Sequence, residues 1–543
     1  MSKVLLVSYV GYPSTPAQLV ANPWLATQLA ALQAAGHDAL ALDYGTVTMM
    51  RRLYPEALTA RLKPMVAGMK GGGQLDENGL RMLQDLDRML DAHQEQVAAE
   101  VRQELLERIE RDRPQVVVFE LGDGDGYTAT VQMAEAVRER FPELLIAAGG
   151  RKAAWFRGLI HKSTRAFDAV IHGDPEGVVV ALAGLQSRSG LSAVPGLTTA
   201  EGENDRVETG SLDDLPLAVY DPAVYPAMAG DDKIKMAIIS ETRGCGNRCA
   251  FCSHPWEDGL HQRQMSPNRL VDTMQGLQER YGMSVFRYGG ASTPAELMYE
   301  AAREILRRGL QVQYNSFGHY RTAWPEHFET LAKSGLYSLF FGLESGSQDI
   351  LDKAVHKGIK LQQVRDTMQA ARAAGIFAAA SMIVPLPFDT EATLAESLQF
   401  ITELRPDSVP LQFPGLMPGS RWIADPARYN IEVGDTEKFL LDGLDYKFKL
   451  LFPPQYWQPL PYKVNGMSFH EFTGVTMKFG MQLEMAGLLT NFSHTLAAIA
   501  KSAGLPPRQL RDLAQLWCVT GDAEGMGEMI ARANAAMIRP SSA

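Results

Sequence analysis

Residues 234–255 read IKMAIISETRGCGNRCAFCSHP, an apolar segment that runs directly into a loop with three cysteines. The apolar segment predicts a buried strand, and Cys245, Cys249 and Cys252 have the spacing C-x3-C-x2-C. A tight loop of this kind can direct three thiolates at one [4Fe–4S] cluster and leave the fourth iron without a protein ligand. The chain has four cysteines in all, so this crowding indicates an intracellular metal or redox site rather than a disulfide framework.

A structural zinc site is the alternative interpretation of these cysteines. Tetrahedral zinc needs a fourth ligand, and His254 could supply it. The strand before the loop and the alternating strands and helices after it favour the cluster. The fourth cysteine, Cys518, stands alone in a helical stretch, which is typical of a core residue.

The strand before the cysteine loop is the first of six in this half of the chain. Helical segments separate the strands, and this alternation predicts a partial (β/α)6 barrel of the TIM type. The chemistry of such a barrel lies at the carboxyl ends of its strands, where the cysteine loop is placed. The predicted strands are 234–240, 284–288, 310–316, 337–343, 376–384 and 408–413.

The first half of the chain also alternates between strands and helices. Its continuous Val, Ile and Leu strands predict a parallel, doubly wound, Rossmann-like sheet, interrupted by a helical insertion at 46–112. An amphipathic stretch from about Leu80 to Ile109 predicts a long helix in that insertion. Ligands of doubly wound sheets bind outside the carboxyl ends of the strands. Three of those ends carry small or acidic residues, namely Gly122 and Asp123, Gly149 and Gly150, and Gly173 and Asp174.

The composition of the remaining segments completes the predicted division into domains. Residues 186–235 are rich in Gly, Ser, Asp and Pro and predict a linker between the domains at 1–185 and 236–428. Residues 429–543 read as a mainly helical C-terminal domain with aromatic loops. Two roles stay open for the aromatic side chains of those loops, as the lining of a substrate pocket or the core of a helical cap: Tyr456, Trp457 and Tyr462.

Charge and hydropathy exclude several classes of function. The net charge is −11 and there is no block of Lys and Arg, so a nucleic acid is not expected as partner. No stretch approaches the roughly 18 consecutive apolar residues of a membrane span. The first residues, MSKVLLVSYVGYP, lack the apolar region and cleavage site of a secretory signal. A cytoplasmic protein is expected.

The segment 241–254 resembles the cluster-binding signature of the radical S-adenosylmethionine (SAM) enzymes. FGLESGSQDILDKAVHKG at 341–358 and IVPLPFDTEATLAESLQF at 383–400 resemble the fourth- and fifth-strand motifs of the radical SAM group that also binds cobalamin. The resemblance implies that Phe251 lies near the adenine of SAM, and that Glu344 reaches SAM with assistance from Ser345.

One departure from the family pattern concerns the second barrel strand. Many radical SAM enzymes present Gly-Gly-Glu there, and the acid helps to hold the amino group of SAM. In this chain Gly289 and Gly290 are followed by Ala291, so only backbone carbonyls remain for that contact. It is therefore open whether SAM is cleaved reductively or only donates its methyl group.

Residues 1–185 are similar to the cobalamin-binding domain that precedes the barrel in this radical SAM group. The similarity rests on AAGHDALALD, FELGDGDGYTAT, AAGG and FDAVIHGDPEGVVVAL. It implies cobalamin contacts at the corrin loop, the nucleotide-tail loop and the closing turn, which comprise Gly122, Asp123, Gly149, Gly150, Gly173, Asp174 and Glu176. The Asp-x-His-x-x-Gly motif that places a histidine on cobalt is absent, which implies an open lower face or contact with water or another side chain. A domain that kept its shape and lost cobalamin is the alternative.

The resemblance implies a cobalamin-dependent radical SAM methyltransferase. It would move a methyl group from SAM via methylcobalamin to a carbon of a small-molecule or peptide substrate, with an electron donor such as flavodoxin or ferredoxin. Two alternatives stay open: a cyclase or rearrangement enzyme that uses the same cofactors without methyl transfer, and a non-catalytic sensor. No general base stands out, and the positional candidates near strand ends are His254, Tyr288 and His319.

Overall fold

Two mainly parallel β-sheets, one in each half of the chain, position the functional regions. The α/β class expected from the sequence is confirmed. The structure is a computed structural model, and it describes residues 2–70, 77–185, 187–449, 451–452 and 454–539.

The first sheet is formed within the first 203 residues. Its strands are β1 (Lys3–Ser8), β2 (Asp38–Asp43), β3 (Val116–Glu120), β4 (Leu145–Gly149), β5 (Ala169–Ile171), β6 (Leu197–Thr199) and β7 (Gly202–Glu203). Their order is β2-β1-β3-β4-β5-β6-β7, and β1 to β5 are parallel. β6 and β7 come from the segment predicted as a linker and extend the sheet as an antiparallel edge.

Helices cover this sheet on both faces, which explains the continuous apolar runs of its strands. The α-helices described in this half are α1 (Pro23–Ala34), α2 (Val47–Leu53), α3 (Glu56–Lys70), α4 (Glu77–Asp112), α5 (Asp125–Arg140), α6 (Gly150–Phe156), α7 (Gly158–Ser163) and α8 (Pro175–Gly184). α1 begins after Asn22, whose side chain accepts from the amides of Trp24 and Leu25. α4 contains the amphipathic stretch found in the sequence, and its apolar side packs on the protein.

The strand order places a topological switch point between β1 and β3. The chain leaves β1 toward β2 on one side, and the later strands follow on the other side. A crevice forms at the carboxyl ends of the two strands where the direction reverses, and ligands of doubly wound sheets bind there. In this chain, those ends carry Ser8 and Glu120.

The second half of the chain builds the partial barrel. Its strands are β8 (Ala237–Ile239), β9 (Thr242–Arg243), β10 (Arg263–Gln264), β11 (Val285–Tyr288), β12 (Gln313–Gly318), β13 (Leu336–Glu344), β14 (Phe377–Ile383) and β15 (Leu411–Gln412). The parallel sheet has the order β15-β14-β13-β12-β11-β8, while β9 and β10 form an antiparallel pair beside it. Each of the six predicted barrel strands overlaps one strand of the parallel sheet.

Helices accompany the barrel strands, and most of them cover the outer face of that sheet. They are α9 (His254–Asp258), α10 (Pro267–Tyr281), α11 (Ala295–Arg308), α12 (Phe328–Lys333), α13 (Gln348–Ile350), α14 (Leu361–Ala373) and α15 (Glu391–Leu404). α10 and α11 end at Gly282 and Gly309, both in the left-handed conformation that stops a helix without steric cost.

The C-terminal region is mainly helical. It contains α16 (Arg421–Ala424), β16 (Ile431–Val433), α17 (Thr436–Asp442), β17 (Tyr462–Val464), α18 (Phe469–Met485), α19 (His494–Ala503), α20 (Pro507–Thr520) and α21 (Ala523–Met537). The start of α19 meets the barrel, where the carbonyl of His494 accepts from Asn315 Nδ2 and Ser338 Oγ, both at 3.2 Å. None of the helices among the described residues has the length and apolar composition that a membrane crossing requires.

Candidate functional site

The cysteine loop follows β8 at the carboxyl end of the barrel sheet, as the sequence predicts. Two backbone hydrogen bonds hold it in place. The amide of Cys245 donates to the carbonyl of Gly259 at 3.0 Å, and the amide of Ala250 donates to the carbonyl of Val355 at 2.8 Å. The second bond ties the loop to the turn that follows β13. The loop is therefore held by the residue that ends α9 and by the segment that follows β13.

The spacing of the thiols in this loop bears on the choice between the cluster and zinc. Among the described residues, one set of three His, Cys, Asp or Glu side chains has ligand atoms that all lie within 4.8 Å of one another, and it is His254, Glu257 and Asp258. The three thiol sulfurs are therefore spread more widely. Thiolates on one tetrahedral zinc lie about 3.8 Å apart, since each Zn–S bond is about 2.3 Å. The geometry favours a cluster, whose thiolates bind separate irons.

A lysine that the sequence analysis missed lies beside the cysteines. Lys357 Nζ donates to Glu344 Oε1 at 2.8 Å and to the carbonyl of Gly342 at 2.6 Å. Burial raises the pKa of the Cys249 thiol, and it raises that of Cys252 to about 12, whereas the Lys357 charge opposes both shifts. Binding of metal must therefore displace protons from buried thiols, and a neighbouring cation makes this less costly.

Glu344 is placed where the family resemblance implies a contact with SAM. It is buried at the carboxyl end of β13 and has a positive φ of 71°. A left-handed backbone is unfavourable for a side chain of this size, and such strain is typical of functional sites. Lys357 holds one carboxylate oxygen of Glu344, as described above. Its contact with SAM stays a prediction.

Two further residues of the predicted SAM site have defined neighbours. The Phe251 ring lies between the second and third cysteines, with its centroid 5.8 Å from that of Trp422. Ser345 Oγ lies 3.1 Å from Ser397 Oγ and accepts from the amide of Ser347 at the same distance. These contacts position both side chains from within the protein, and their role toward SAM stays a prediction.

A buried acid supports the Gly289-Gly290 turn from the first barrel strand. Glu241 is fully buried, and its carboxylate accepts from the amide of Gly290 at 3.0 Å and from Thr293 Oγ1 at 2.7 Å. Burial raises the pKa of this carboxyl, and the two hydrogen bonds oppose the shift. A Cβ at Gly290 would lie 2.7 Å from Glu241 Oε1, so only glycine permits the approach. The family pattern has an acid directly after Gly290. The acid found beside the turn is Glu241, which was not predicted.

We expect Glu241→Leu to destabilise the protein by about 1–3 kcal/mol, because it leaves the buried amide of Gly290 without its acceptor, while the Thr293 hydroxyl keeps only Ser316 as a partner. Glu241→Gln keeps one carbonyl oxygen and should lose less than half of that amount. Urea denaturation of both variants measures the difference. The control is Glu329→Gln, at an exposed ion pair with Lys333, and an equal loss in the Leu and Gln variants of Glu241 would contradict the role of the acceptor.

The carboxyl ends of the two sheets face each other across one cavity of about 390 Å³, called here the inter-sheet cavity. From the first sheet, Glu120, Gly150 and Gly173 line it, and from the barrel Ser240 and Gly289 line it. α9, directly after the cysteine loop, forms part of its wall. A ligand bound here at the first sheet would therefore lie next to the segments that flank the cysteine loop.

A second cavity of about 320 Å³ lies at the switch point of the first sheet, and it is called here the switch-point cavity. Ser8, Glu120 and Gly122 line it at the ends of β1 and β3. α4 and the segment after α17 close it through ion pairs, Lys447 with Asp91 at 2.6 Å among them. Glu120 lines both cavities, so it stands at their junction.

The residues of the two predicted glycine loops lie at these cavities. Gly122 and Asp123 line the switch-point cavity, and Asp123 pairs with Lys152 at 2.5 Å. Gly149 has the Trp24 ring against it, and a Cβ there would lie 2.5 Å from that ring. The other loop glycine, Gly150, has a φ of 86°, and a Cβ on it would lie 2.7 Å from Glu120 Cγ. Contact of all four loop residues with a cofactor stays a prediction.

The closing turn of the first sheet is engaged with the barrel. Asp174 pairs with Arg263 at 2.5 Å and with Arg243 at 3.3 Å, and Glu176 pairs with Arg243 at 2.6 Å. Although burial raises the pKa of Asp174, the two arginines lower it to about 2. Gly173 in the same turn has a φ of 75°. The expected contact of this turn with a cofactor stays a prediction, and the structure assigns its acids to the junction between the sheets.

The positional candidates for catalysis differ in location. Tyr288 is buried on the helix-covered face, with its ring 5.0 Å from that of Tyr314, and points away from both cavities. His319 is buried, and burial lowers its pKa to about 3. His254 lines the inter-sheet cavity. The sequence indicates that Tyr288 is near the end of a strand, but not on which face of that strand its side chain lies. For this reason Tyr288 was among the catalytic candidates.

The three aromatic residues singled out in the C-terminal loops, Tyr456, Trp457 and Tyr462, line neither of these cavities. The Trp457 indole donates to the carbonyl of Phe452 at 2.8 Å, and the buried Tyr462 donates to the carbonyl of Pro414. Tyr456 is half-exposed. These contacts fit the core of a helical cap better than the lining of a substrate pocket.

Comparison with known proteins agrees with this architecture. The structure aligns with the radical SAM methyltransferase TsrM from Kitasatospora setae, determined with cobalamin and a [4Fe–4S] cluster bound. The TM-score is 0.63 at 15% identity, over 96% of this chain and 99% of TsrM. It also aligns with OxsB, a cobalamin-dependent SAM radical enzyme, with a TM-score of 0.53 at 12% identity over 90% of this chain and 62% of OxsB. These similarities show a shared fold.

Sequence relatives point to the same enzymes. Hopanoid C-3 methylase of Methylococcus capsulatus is 26% identical over 58% of this chain and 61% of its own length. Anaerobic magnesium-protoporphyrin IX monomethyl ester cyclase of Cereibacter sphaeroides is 24% identical over 56% of this chain and 52% of its own length. The chain thus spans less than two thirds of the length of these relatives. The model of the radical SAM superfamily matches residues 239–401. Those residues, which contain the cysteine loop and four further barrel strands ending in β14, are a radical SAM domain.

Proposed function

We propose that the chain is a cobalamin-dependent radical SAM methyltransferase that carries a methyl group from SAM to a carbon atom of a small-molecule or peptide substrate. One observation carries the proposal: the segments that flank the cysteine loop, Arg243 before it and α9 after it, line the same inter-sheet cavity as the carboxyl edge of the doubly wound sheet. Methyl transfer between two cofactors requires that both reach one space. The named methyltransferases among the relatives support this reading.

The cysteine loop fits a [4Fe–4S] cluster, because three separated thiols stand beside a buried lysine. Cys245, Cys249 and Cys252 would hold it. The cluster, when bound, supplies one electron through an iron that has no protein ligand. The residues proposed to orient SAM next to it are Phe251, Gly289, Gly290, Glu344 and Ser345. Because Glu241 is enclosed, the turn at Gly289 offers its backbone carbonyls to the amino group of SAM.

The edge of the first sheet fits cobalamin at its switch point. Two cavities meet at Glu120, and glycines there let the backbone approach a large planar ligand. We propose that Gly122, Asp123, Gly149 and Gly150 contact it, while Asp174 and Glu176 keep the adjoining turn attached to the barrel. Cobalamin, when bound, supplies a carrier for the methyl group, and the protein positions it and limits water.

The remaining expectations belong to the same proposal. We propose the domains 1–185, 186–235, 236–428 and 429–543, with the antiparallel strands β6 and β7 as an extension of the first domain. Buried free thiols and an oxygen-sensitive cluster favour the reducing cytoplasm. An electron donor such as flavodoxin or ferredoxin would keep the cofactors reduced. The net charge of −11 argues against a nucleic acid substrate.

Methyl-labelled SAM tests the proposal on the anaerobically reconstituted protein. We expect label to enter added cobalamin, with S-adenosylhomocysteine formed at least about tenfold faster than without cobalamin, because binding places the two reactants in one cavity. Cobalamin supplied with heat-denatured protein is the control. If S-adenosylhomocysteine forms at the same rate without cobalamin, the proposal is wrong.

A cyclase or rearrangement enzyme is the second candidate, since the cyclase relative matches a similar share of the chain. The same assay separates the two. A cyclase would form 5′-deoxyadenosine while no label enters cobalamin or any product. Formation of 5′-deoxyadenosine together with label transfer would identify a radical route to an unactivated carbon, and label transfer without it would identify a polar methylation.

A further inference from the structure

One arginine at the inter-sheet cavity differs from the others in its electrostatic partners. Three arginines line that cavity, namely Arg151, Arg243 and Arg287. Arg151 pairs with Glu257 at 3.1 Å, and Arg243 pairs with Glu176 at 2.6 Å. No carboxylate of the described residues lies within 4.0 Å of a guanidinium nitrogen of Arg287.

The contacts of Arg287 leave most of its hydrogen-bond donors free. Its Nη1 lies 3.5 Å from Thr495 Oγ1, which is a long contact, and its buried Nε has no partner. The guanidinium carbon lies 5.3 Å from the centroid of the Phe317 ring. A ring at this distance favours one orientation of a guanidinium group but satisfies none of its in-plane donors.

Burial of an unpaired cation is unfavourable, so this arrangement needs a reason. Burial, together with the charge of Arg151, lowers the pKa of Arg287 to about 10, so the group still carries its charge at neutral pH. Glu241 is the acid that opposes this shift, but its carboxylate is already engaged by Gly290 and Thr293. The neighbouring His494 cannot supply the missing negative charge. Burial lowers the pKa of its imidazole, so the ring stays neutral.

We propose that Arg287 binds a carboxylate of the substrate, so that the methyl acceptor is an organic acid. The inference rests on the proposed function, because it takes the inter-sheet cavity as the place of reaction. A bidentate pair between guanidinium and carboxylate would satisfy the free donors and compensate the charge in one contact. The acid group would then anchor the substrate at β11, beside the Gly289-Gly290 turn.

SAM also carries a carboxylate, and the charges around the cysteine loop offer it a different cation. Lys357 Nζ lies 2.8 Å from Oε1 of Glu344, the carboxylate proposed to orient SAM, whereas Arg287 lines the inter-sheet cavity. The electrostatic neighbours of Arg287 are Arg151 and Glu241. A SAM molecule bound at the cluster would therefore meet Lys357 first, which leaves Arg287 for the second ligand of the cavity.

Ligand binding tests the inference on the reconstituted full-length protein. The probes are acetate, which is small enough for any anion site, and 3-phenylpropionate, each paired with its neutral amide. We expect both carboxylates to raise the melting temperature of the parent protein and to bind at least about tenfold more tightly than their amides, as charge-assisted pairs do. In Arg287→Met this preference should disappear, and Arg287→Lys should retain part of it. A preference that survives in Arg287→Met, or its absence in the parent protein, overturns the inference.

Two further measurements use the same variants. The ligand-free Arg287→Met protein should melt a few degrees above the parent, because an uncompensated buried charge is removed. A lower melting temperature would indicate a structural arginine and overturn the inference.

The affinity for SAM should be unchanged in Arg287→Met, and its loss would assign the site to the SAM carboxylate instead. Arg303→Met, at an exposed ion pair on α11, is the matched control. Transfer of label to cobalamin needs no substrate, so failure here and failure of the proposed function are distinguishable.

Discussion

Replacement of Cys245, Cys249 and Cys252 together by alanine should reduce bound iron from about four atoms per chain to background. All SAM-dependent turnover should be lost with it, because no other set of thiols among the described residues can hold the cluster. Iron and sulfide are quantified after anaerobic reconstitution, and the charge-transfer absorption of the cluster is recorded. Each single substitution should also prevent stable assembly, since the cluster then keeps only two protein ligands.

Cys518→Ala provides the control for this prediction. Cys518 is buried between the C-terminal helices, and burial raises the pKa of its thiol to about 12. This variant should retain full iron content and lose only the packing of one sulfur. Retention of iron in the triple variant, or one zinc atom per chain in the parent protein, would contradict the cluster assignment.

Local patterns in the sequence were sufficient for most of the fold. The strand before Cys245, the six barrel strands and the long helix α4 each follow from apolar periodicity within a single segment. The strands β6 and β7 were not predicted, because they are three and two residues long within a segment whose Gly, Ser, Asp and Pro content is typical of a loop. Such short strands exist only through pairing with a partner already in place, here β5.

The candidate site was predicted in part, for a related reason. A cysteine motif is local, so its position at a strand end could be inferred. The Arg243 pairs with Asp174 and Glu176 join residues about 70 positions apart, and no periodicity reports a contact of that range. Lys357 and Glu241 were missed although both are close to motifs. The signal was present in each case as a charged residue inside a quoted motif, but charge alone does not show whether a residue is buried or solvated.

The junction between the two sheets depends on a charge cluster that is almost completely buried. Arg243 forms a bidentate pair with Glu176, through Nη1 to Oε2 at 2.9 Å and Nη2 to Oε1 at 2.6 Å. Asp174 lies 3.3 Å away and is also held by Arg263. Because all four residues are shielded from water, removal of Arg243 leaves the Glu176 carboxylate buried without a cation, while Arg263 still neutralises Asp174.

Arg243→Met should therefore lower the free energy of unfolding by about 3–5 kcal/mol, the usual loss when one partner of a buried pair is removed. Urea denaturation measures the change. Arg140→Met, which removes an exposed pair with Glu110, should cost less than about 1 kcal/mol and serves as the control. A loss of similar size in both variants would show that the junction is not held by charge.

The dependence of stability on pH gives an independent test of the same junction. The pKa of Asp174 is lowered to about 2 in the folded protein, below its ordinary value of 3.8. Its contribution is therefore complete above about pH 4 and disappears as the pH falls toward 2. In Arg243→Met the folded-state pKa of Asp174 rises, so ionised Asp174 stabilises the variant less than the parent at neutral pH. The difference in unfolding free energy between parent and variant should therefore become smaller below pH 4. A difference that stays constant from pH 7 to pH 2 would assign the loss to packing of the arginine side chain, because packing does not respond to protonation of a carboxylate.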